Sequence, residues 1–488
     1  MAKRTISTWK FMRRDEPILI ILSLSLIFRL IALFCSGGFL HSDEIFQTVE
    51  QAHRISYGYG IVPSEFLGEE YAHLTNKSWG ERSFFFPLVL SFFDSLNPFG
   101  HSVLWLRFLL SLFSVFIPLL IYKIGLEVYD QEVAFFAGLM ASFWWELLYF
   151  SSRTLSTPFA TPFLLASIYY ATRREPNPFL SGIFLGIAFM VRFPTLLVLI
   201  PALFYLGKGS VKFLSGLFLV FLLQGLLDLF TWGIFLHSPV EFLRYNFFGE
   251  GSYLFGEEPF TFYLVKFAEH WGPLILLALP YLVYAAVFGT REEKFLSDAF
   301  LIPLFFFSWV PHKEYRFVFF LVPFLILFFS RALIISLKKS KVRHHRVLAL
   351  LFVFSLALSL NQNWSPKKDL CSAMEFVGKQ DDLKSLLVFD TWSETCGYSY
   401  LHKRVPIYFF PAQDEFLPGV NEVANLTYLR RLIREEVNYV ICTSEKSGTV
   451  LDFEANTGLN VTEICLNETS PYFEEFKRIG SSIILRRR

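Results

Sequence analysis

Long apolar stretches, separated by short polar segments, recur along the chain as far as residue 361. A helix needs roughly 17–25 apolar residues to cross the hydrocarbon of a bilayer, and most of these stretches reach that length. Because backbone polar groups in lipid must be paired within the protein, the pattern predicts about eleven transmembrane helices. They lie near residues 17–37, 103–122, 132–150, 155–172, 178–192, 194–207, 211–236, 269–288, 295–310, 316–336 and 345–360. The spans that cover 178–207 are short, and could be tilted or partly re-entrant.

The basic residues between these spans predict the orientation of the chain, because Lys and Arg collect in cytoplasmic loops. If the N-terminus is cytoplasmic, every strongly basic segment falls on the cytoplasmic side. These segments are the N-terminus and residues 171–178, 207–212, 289–295 and 338–346. The opposite side, lumenal or periplasmic, then carries residues 38–102, the segment 237–268 and everything after about 361.

The last part of the chain has a different pattern. Short β-like runs, SLLVFD, VPIYFF, NYVICT and SSIILR, alternate with polar stretches typical of helices. We therefore predict a transmembrane domain over 1–361, including the first outer loop 38–102, and a small extramembrane α/β domain over 362–488. The cysteines of this second domain would form one or two disulfides only in an oxidising compartment, and unpaired thiols are the alternative. They are Cys371, Cys396, Cys442 and Cys465.

Composition agrees with a membrane protein. Of the 488 residues, 53% are hydrophobic and only 18% are charged. Soluble domains average about 45–50% apolar residues and roughly 25% charged residues. The net charge of +1 gives no reason to expect a nucleic-acid partner. No CxxC pair or other metal-ligand set stands out, so we expect neither a metal nor a cofactor.

The first outer loop carries the polar residues that most suggest chemistry. His41, Asp43 and Glu44 lie just beyond the first predicted span, and Gln47 follows them. Residues 45–55 predict a short amphipathic helix along the membrane interface. An acid at this depth could act as a general base towards a hydroxyl group. The alternative is that Asp43 merely caps that helix at its N-terminus.

A second polar cluster, His312, Lys313, Glu314 and Arg316, stands between two apolar runs. A charge at the bilayer centre costs about 2.5–3.5 kcal/mol on insertion scales, so such clusters lie at membrane edges or in polar cavities. In a helix, Lys313 and Arg316 would share a face. Two cations and a histidine suit a phosphate group. The alternative is that these cations only extend from a span end to the interface.

Three further positions are candidates. Arg153 is an isolated outward cation among hydroxyl residues, although a helix cap explains that stretch better. Asp228 lies towards the outer end of a very apolar span, where an unpaired carboxylate would be costly. The Gly, Asn and aromatic residues after it, Asn246 among them, suggest an interfacial loop that lines a groove.

Several stretches, in order over residues 41–324, resemble blocks of one known family. They are HSDEIFQTVEQAHRISYGYG, SEF followed by ERSFFFP, SSRTLST, the block 228–264, and PHKEYRFVFFLVP. They resemble the dolichyl-phosphate-mannose-dependent α-mannosyltransferases of the GT-C superfamily, which include GPI mannosyltransferases and lumenal N-glycan mannosyltransferases. The resemblance implies a polytopic, mainly helical GT-C fold.

The chain departs from the family pattern at several positions. Ser42 replaces a common Pro, Thr157 stands where Asn is usual, and Thr261 replaces a His. Glu257 and Glu258 replace a pair that usually contains His. These departures leave the acceptor and the linkage open.

The resemblance also implies a mechanism. Asp43 would be the general base, with Glu44 and His41 beside it, and would take a proton from an acceptor hydroxyl that attacks the anomeric carbon. The leaving lipid phosphate would be stabilised by cations. Candidates for this role are His312, Lys313 and Arg316, with Arg153 as a weaker one. The remaining substrate-binding candidates are His41, Gln47, Asp228 and Asn246. One displacement would invert a β-linked donor to an α-linked product.

The implied partners are a polyprenyl- or dolichyl-phosphate sugar donor, a lipid-linked glycan acceptor and the bilayer. The competing hypotheses are a GT-C transferase for another lipid-linked sugar, a flippase for lipid-linked sugars, and an inactive scaffold. A flippase would place polar groups through the bilayer midplane and show inverted repeats, and neither is visible in the sequence. We expect the protein in the membrane of the endoplasmic reticulum or in a bacterial inner membrane. Sequons at Asn76, Asn425, Asn460 and Asn467 favour the first.

Overall fold

A computed structural model describes residues 15–69, 79–98, 100, 102–248, 253, 256–338, 343–412, 417 and 420–488. The chain forms two compact units. The membrane unit comprises Met1–Phe34 and Phe108–Asn363, and the sheet unit comprises Cys35–Arg107 and Trp364–Arg488. The sequence pattern grouped the first outer loop with the transmembrane domain, whereas the contacts group it with the C-terminal segment. Of the predicted positions, Asn76 and parts of the basic segments (1–14 and 339–342) lie outside the described residues.

Every apolar run that was predicted to span the membrane contains a helix, which confirms the mainly helical fold. The helices are Glu16–Cys35, Val103–Ser114, Phe116–Val128, Gln131–Phe143, Trp145–Tyr149, Ser156–Thr172, Pro178–Val191, Leu199–Leu206, Ser210–Trp232, His237–Leu243, Phe262–Trp271, Ile275–Phe288, Arg291–Trp309, Val322–Leu337 and His344–Leu360. Among the described residues, 5 helical stretches are long and apolar enough to cross a membrane. They are Glu16–Cys35, Val103–Val128, Phe193–Trp232, Phe262–Phe288 and Tyr315–Leu337.

The surface of the membrane unit is apolar in the way that lipid requires. Phe204, Phe230 and Phe288 are among its most exposed large apolar side chains. One helical stretch begins earlier than predicted, at Phe262 instead of residue 269. The polar residues there lie within the helix, where Lys266 and Glu269 form an ion pair of 2.8 Å.

The sheet unit contains a six-stranded sheet with the order β3-β2-β1-β4-β6-β5. The strands are β1 Leu386–Phe389, β2 Ile407–Phe409, β3 Asn421–Glu422, β4 Tyr439–Thr443, β5 Phe473–Ile479 and β6 Ser482–Arg487. Strands β1 to β4 run parallel, while β6 pairs antiparallel with β4 and β5. The four β-like runs of the sequence are β1, β2, β4 and β6. Strand β5 escaped prediction because it is an edge strand with five consecutive exposed residues, as protected edges often are.

Alternate residues of β1 enter two different hydrophobic cores, one on each face of the sheet. Leu387 and Phe389 face one core, which is built with helices Leu426–Glu435 and Val461–Thr469. Leu386 and Val388 face the other core. Phe46 of the first outer loop packs in this second core, at 5.0 Å between ring centroids from Trp392. The loop therefore covers one face of the sheet, which explains why it belongs to this unit.

Two disulfides cross-link the sheet unit, Cys371–Cys396 and Cys442–Cys465. The sequence left open whether these cysteines pair, and the structure pairs them all. The remaining helices of the sheet unit are Glu50–Tyr57, Phe85–Ser95, Lys368–Gly378, Gly397–Leu401 and Gly448–Thr457.

Candidate active site

The first outer loop places Asp43 at the start of a helix in the sheet unit. The Ser42 carbonyl accepts the first helical hydrogen bonds, from the N–H groups of Ile45 and Phe46. Asp43 lies in the first turn and already has helical conformation, so it does not occupy the N-cap position. A π-helical turn, Ile45–Val49, follows and leads into the helix Glu50–Tyr57. Such π-helical turns are frequent at functional sites.

The two adjacent acids have different environments. The Asp43 side chain is 20% exposed, and its Oδ1 lies 3.3 Å from His41 Nδ1. The same His41 nitrogen is 3.2 Å from the Asp43 backbone nitrogen, so the tautomer of His41 decides which bond forms. Glu44 is fully buried, and its Oε1 accepts the Leu40 N–H at 2.6 Å. Asp43 is therefore open to solvent, whereas Glu44 holds the chain that leads into the helix.

Gln47, one turn after Asp43, is held by a second acid of the loop. Its Nε2 donates to Glu65 Oε1 at 2.8 Å. Both residues belong to stretches that resemble family blocks, and the fold brings them together across 18 positions of sequence. The side chain of Gln47 is only partly buried, which leaves its amide oxygen a possible contact for a substrate hydroxyl.

Sequence reasoning missed the role of Glu50, on the same helix. This carboxylate is fully buried and accepts backbone N–H groups from Ile61, Tyr398 and Ser399 at 2.8, 3.1 and 2.8 Å. The left-handed Gly397 allows this approach, since a Cβ there would lie 2.5 Å from Glu50 Oε2. Burial raises the pKa of Glu50 against the opposing effect of these N–H groups. Glu50 is thus a positioning residue that ties the Asp43 helix to the segment beside the Cys371–Cys396 disulfide.

We expect Glu50→Gln to lower the thermal unfolding midpoint, because an amide offers one acceptor oxygen where the carboxyl group offers two. Each unpaired buried N–H costs about 1–3 kcal/mol. Folding raises the pKa of Glu50, so its contribution to the free energy of unfolding is complete below the unfolded pKa of about 4.3. That contribution is lost as the pH rises through the folded pKa. The deficit of Glu50→Gln should therefore be larger at pH 5 than at pH 7.5. Differential scanning fluorimetry at both pH values measures this.

The control is Glu435→Gln, which neutralises an exposed acid of the same unit. Its unfolding midpoint should follow that of the wild type at both pH values. A deficit of Glu50→Gln that stays constant or grows between pH 5 and pH 7.5 would contradict the assignment.

The second cluster lies in a loop of the membrane unit, between the helix Arg291–Trp309 and the 3₁₀ turn Tyr315–Leu321. Arg316 forms a two-point ion pair with Glu314, at 2.6 and 2.7 Å, and His312 Nε2 lies 3.1 Å from the same carboxylate. Lys313 instead donates to the carbonyls of Glu258 and Pro311, at 2.6 and 3.3 Å. Lys313 precedes the helical turn, so it does not share a helix face with Arg316 as the spacing suggested.

A buried hydrogen-bond network supports this loop from within the membrane unit. The fully buried Glu146 accepts from the indole N–H groups of Trp144 and Trp271, at 2.8 and 3.0 Å. His270 Nδ1 lies 3.0 Å from its carboxylate, and the Tyr315 hydroxyl donates to it. Tyr315 stands between Glu314 and Arg316, so the network fixes the backbone of the cationic loop. An acid inside the apolar run 132–150 was the signal that could have revealed Glu146, since such acids are costly unless paired.

The other candidates are engaged in separate contacts of the membrane unit. Arg153 is buried and stacks on the Tyr149 ring, 5.0 Å from its centroid. Asp228 accepts from Gln224 Nε2 at 2.8 Å and from the Ser238 N–H and hydroxyl at 2.8–2.9 Å. Its carboxylate is therefore satisfied locally, and it connects the end of the helix Ser210–Trp232 to the next helix. Asn246 donates to the Phe242 carbonyl at 2.9 Å within its own turn.

The chain is similar in sequence to known membrane-bound mannosyltransferases. A model of the Alg9-like mannosyltransferase family matches residues 20–402. GPI alpha-1,2-mannosyltransferase 3 of Bos taurus is 23% identical over 420 residues, which cover 80% of this chain and 73% of that protein. Mannosyltransferase APTG1 of Arabidopsis thaliana is 23% identical over 487 residues, which cover 88% of this chain and 85% of that protein.

Solved structures resemble the whole chain. ArnT from Cupriavidus metallidurans, bound to undecaprenyl phosphate, has a TM-score of 0.61 at 11% identity and covers 97% of this chain and 98% of its own. AglB from Archaeoglobus fulgidus, in complex with an inhibitory peptide and a dolichol-phosphate, has a TM-score of 0.56 at 12% identity, with 96% and 74% covered. Likeness at these identities concerns the fold, and it confirms the GT-C fold class.

Proposed function

The chain belongs to the Alg9-like mannosyltransferase family, and from that premise we propose that it transfers mannose, with inversion, from a polyprenyl- or dolichyl-phosphate-mannose donor to a lipid-linked glycan. It is an integral membrane glycosyltransferase. The observation that carries the proposal is the difference between the two acids of the first outer loop. Asp43 is partly exposed beside His41, and Glu44 is buried on a backbone N–H.

The proposed reaction is a single displacement. The oxygen of an acceptor hydroxyl forms a bond to the anomeric carbon of mannose, and its proton passes to the Asp43 carboxylate. The bond between that carbon and the phosphate oxygen breaks, and the electron pair leaves with the lipid phosphate. A β-linked donor thereby gives an α-linked product.

Cations of the membrane unit would stabilise the phosphate that leaves. We assign this role to Arg316, with Lys313 and His312 beside it. Arg316 has a planar guanidinium of the kind that binds phosphate, and the ion pair of its Nε and Nη2 with Glu314 orients this group. Groups that are already oriented need no rearrangement when charge develops on the phosphate, and this gives such sites their catalytic effect. Arg153 is a weaker candidate because its guanidinium is buried against Tyr149.

We further propose that the sheet unit faces the lumen of the endoplasmic reticulum. The loops support this proposal, because the positive-inside rule predicts that residues after about 361 lie outside the cytoplasm. The two disulfides of the sheet unit require an oxidising compartment, which agrees with that side. The relatives named GPI mannosyltransferases make a GPI precursor the first acceptor to test.

Transfer from a labelled donor tests the proposed function. We expect the purified protein in detergent to move label from polyprenyl-phosphate-[³H]mannose to a lipid extract, in a form that α-mannosidase releases. Two matched donors serve as controls. Polyprenyl-phosphate-glucose carries glucose in place of mannose, and GDP-mannose carries a nucleotide in place of the lipid. Equal use of polyprenyl-phosphate-glucose would overturn the mannose assignment, and use of GDP-mannose alone would overturn the lipid donor. A flippase, which the family membership does not favour, would form no glycosidic bond in any arm.

A further inference from the structure

A cleft in the sheet unit is lined by cationic and hydroxyl side chains that the transfer reaction does not use. Its volume is about 140 Å³, about ten times the space that a single water molecule needs. Arg107, Lys368, Ser102 and Ser372 supply polar groups to its wall. No described residue that lines the cleft belongs to the set assigned to the base or to the leaving phosphate.

Arg107 is the central cation of this cleft. It is only 4% exposed, and its terminal nitrogen donates to the Gly38 carbonyl. Its Nε is buried without a hydrogen-bond partner among the residues that the structure describes. No carboxylate in the described ranges pairs with it either. A desolvated guanidinium is costly unless an anion or several acceptors satisfy its five N–H donors. The arrangement therefore lacks one anionic partner.

Lys368 brings a second positive charge to the same wall. It is exposed at the start of the helix Lys368–Gly378, whose N-terminus has no side-chain cap. Its stem lies across Gly37, where a Cβ would be 2.7 Å from the lysine Cδ. The positive end of the helix dipole adds to this charge. Glu375, an acid in the wall, pairs with Lys379 at 2.6 Å.

The position of the cleft selects among anions. Leu104 lines it and is 51% exposed, and the apolar stretch Val103–Val128, which is long enough to cross a membrane, begins beside it. A ligand here meets a cationic pocket and an apolar rim at the end of a membrane span. A free anion would use only the first of these, whereas an anionic lipid would use both.

We propose that this cleft binds the phosphate of an anionic lipid. The Arg107 fork and the Lys368 ammonium bind the phosphate oxygens, the Ser102 and Ser372 hydroxyls donate to them, and the acyl chains follow the apolar surface that starts at Leu104. The inference goes beyond mannosyl transfer, and its test does not depend on that activity.

Thermal unfolding of the delipidated, full-length protein in detergent provides the test. Its midpoint is titrated with dioctanoyl phosphatidic acid, with dioctanoylglycerol, which lacks the phosphate, and with inorganic phosphate, which lacks the chains. A ligand that binds only the folded state raises the midpoint in a saturable way. We expect phosphatidic acid to do so at concentrations at which neither comparator does.

Two variants at partly exposed positions assign the effect to the cleft, so that a folding defect at buried Arg107 does not confuse it. Lys368→Gln removes one charge-assisted contact. It should raise the phosphatidic acid concentration at half-saturation about tenfold or more. Ser372→Glu adds a negative charge and should abolish the shift. Lys384→Gln, at an exposed lysine of the same unit, should titrate like the wild type.

Three outcomes would overturn the proposal. Equal shifts with dioctanoylglycerol would show that the phosphate is not recognised. Equal shifts with inorganic phosphate would assign the cleft to a free anion and not to a lipid. Unchanged titration of both Lys368→Gln and Ser372→Glu would place the bound lipid elsewhere on the protein.

Discussion

Replacing Asp43 with Asn is expected to lower the rate of mannosyl transfer by about 10²–10⁴-fold, the range that general-base catalysis usually contributes. Asn keeps the shape of the side chain but cannot take the proton of the acceptor hydroxyl. Because Asp43 is partly exposed at the first helical turn, its replacement should leave the fold intact. The KM for the donor should stay close to that of the wild type, since the donor phosphate is assigned to other residues. Initial rates with a labelled donor, with the unfolding midpoint measured in parallel, check both parts.

Two further variants separate a base from a structural acid. Asp381→Asn removes an exposed carboxylate from the same unit and should transfer at the wild-type rate. Glu44→Leu should lower the unfolding midpoint more than Asp43→Asn does, because it removes the buried acceptor of the Leu40 N–H. If Asp43→Asn retained full activity, Asp43 would not be the base, and a full loss of activity accompanied by unfolding would make it a structural residue.

Replacing Arg316 with Gln is expected to lower kcat by about 10²–10³-fold, as the loss of one donor to a developing negative charge does in other enzymes. Glu314 would lose its two-point partner, and its carboxylate would then face the leaving phosphate without compensation. Arg316→Lys should recover only part of the rate, because an ammonium keeps the charge but not the fork. Steady-state kinetics with varied donor, for both variants, measure the effect.

The matched control for this prediction is Arg174→Gln, an exposed arginine of the same unit in a predicted cytoplasmic loop. It should behave as the wild type does. If Arg316→Lys recovered the full wild-type kcat, charge alone would matter. If Arg316→Gln kept the wild-type kcat, Arg316 would not stabilise the leaving group. A rise in KM with unchanged kcat would assign Arg316 to donor binding in the ground state.

The outcome at Asp228 shows the limit of reasoning from single costly residues. An acid in an apolar span is a sound signal that a partner exists, and the structure supplies Gln224 and Ser238 as that partner. Glu146 is also an acid within an apolar run. Its partners His270, Trp271 and Tyr315 are more than a hundred positions away along the chain. Sequence indicates that a buried charge needs compensation, but it does not say whether a neighbour or a substrate provides it.

The apolar runs by themselves determined that this is a helical membrane protein, because a chain in lipid has few ways to pair its backbone. The short β-like runs determined four of the six strands of the sheet. Ordered blocks of residues indicated the family and the acids and cations of the site. Each of these features is encoded within a few consecutive residues, so it can be read without the fold.

Only the tertiary structure decided which of these residues are in contact. It joined the first outer loop to the C-terminal segment through the core around Phe46 and Trp392 and through Glu50 and the N–H groups of residues 398 and 399. It also separated an accessible Asp43 from a buried Glu44, and left Arg107 without an anionic partner among the described residues. Burial and hydrogen-bond pairing depend on contacts between residues that are up to 349 positions apart in sequence, and no local pattern encodes such contacts.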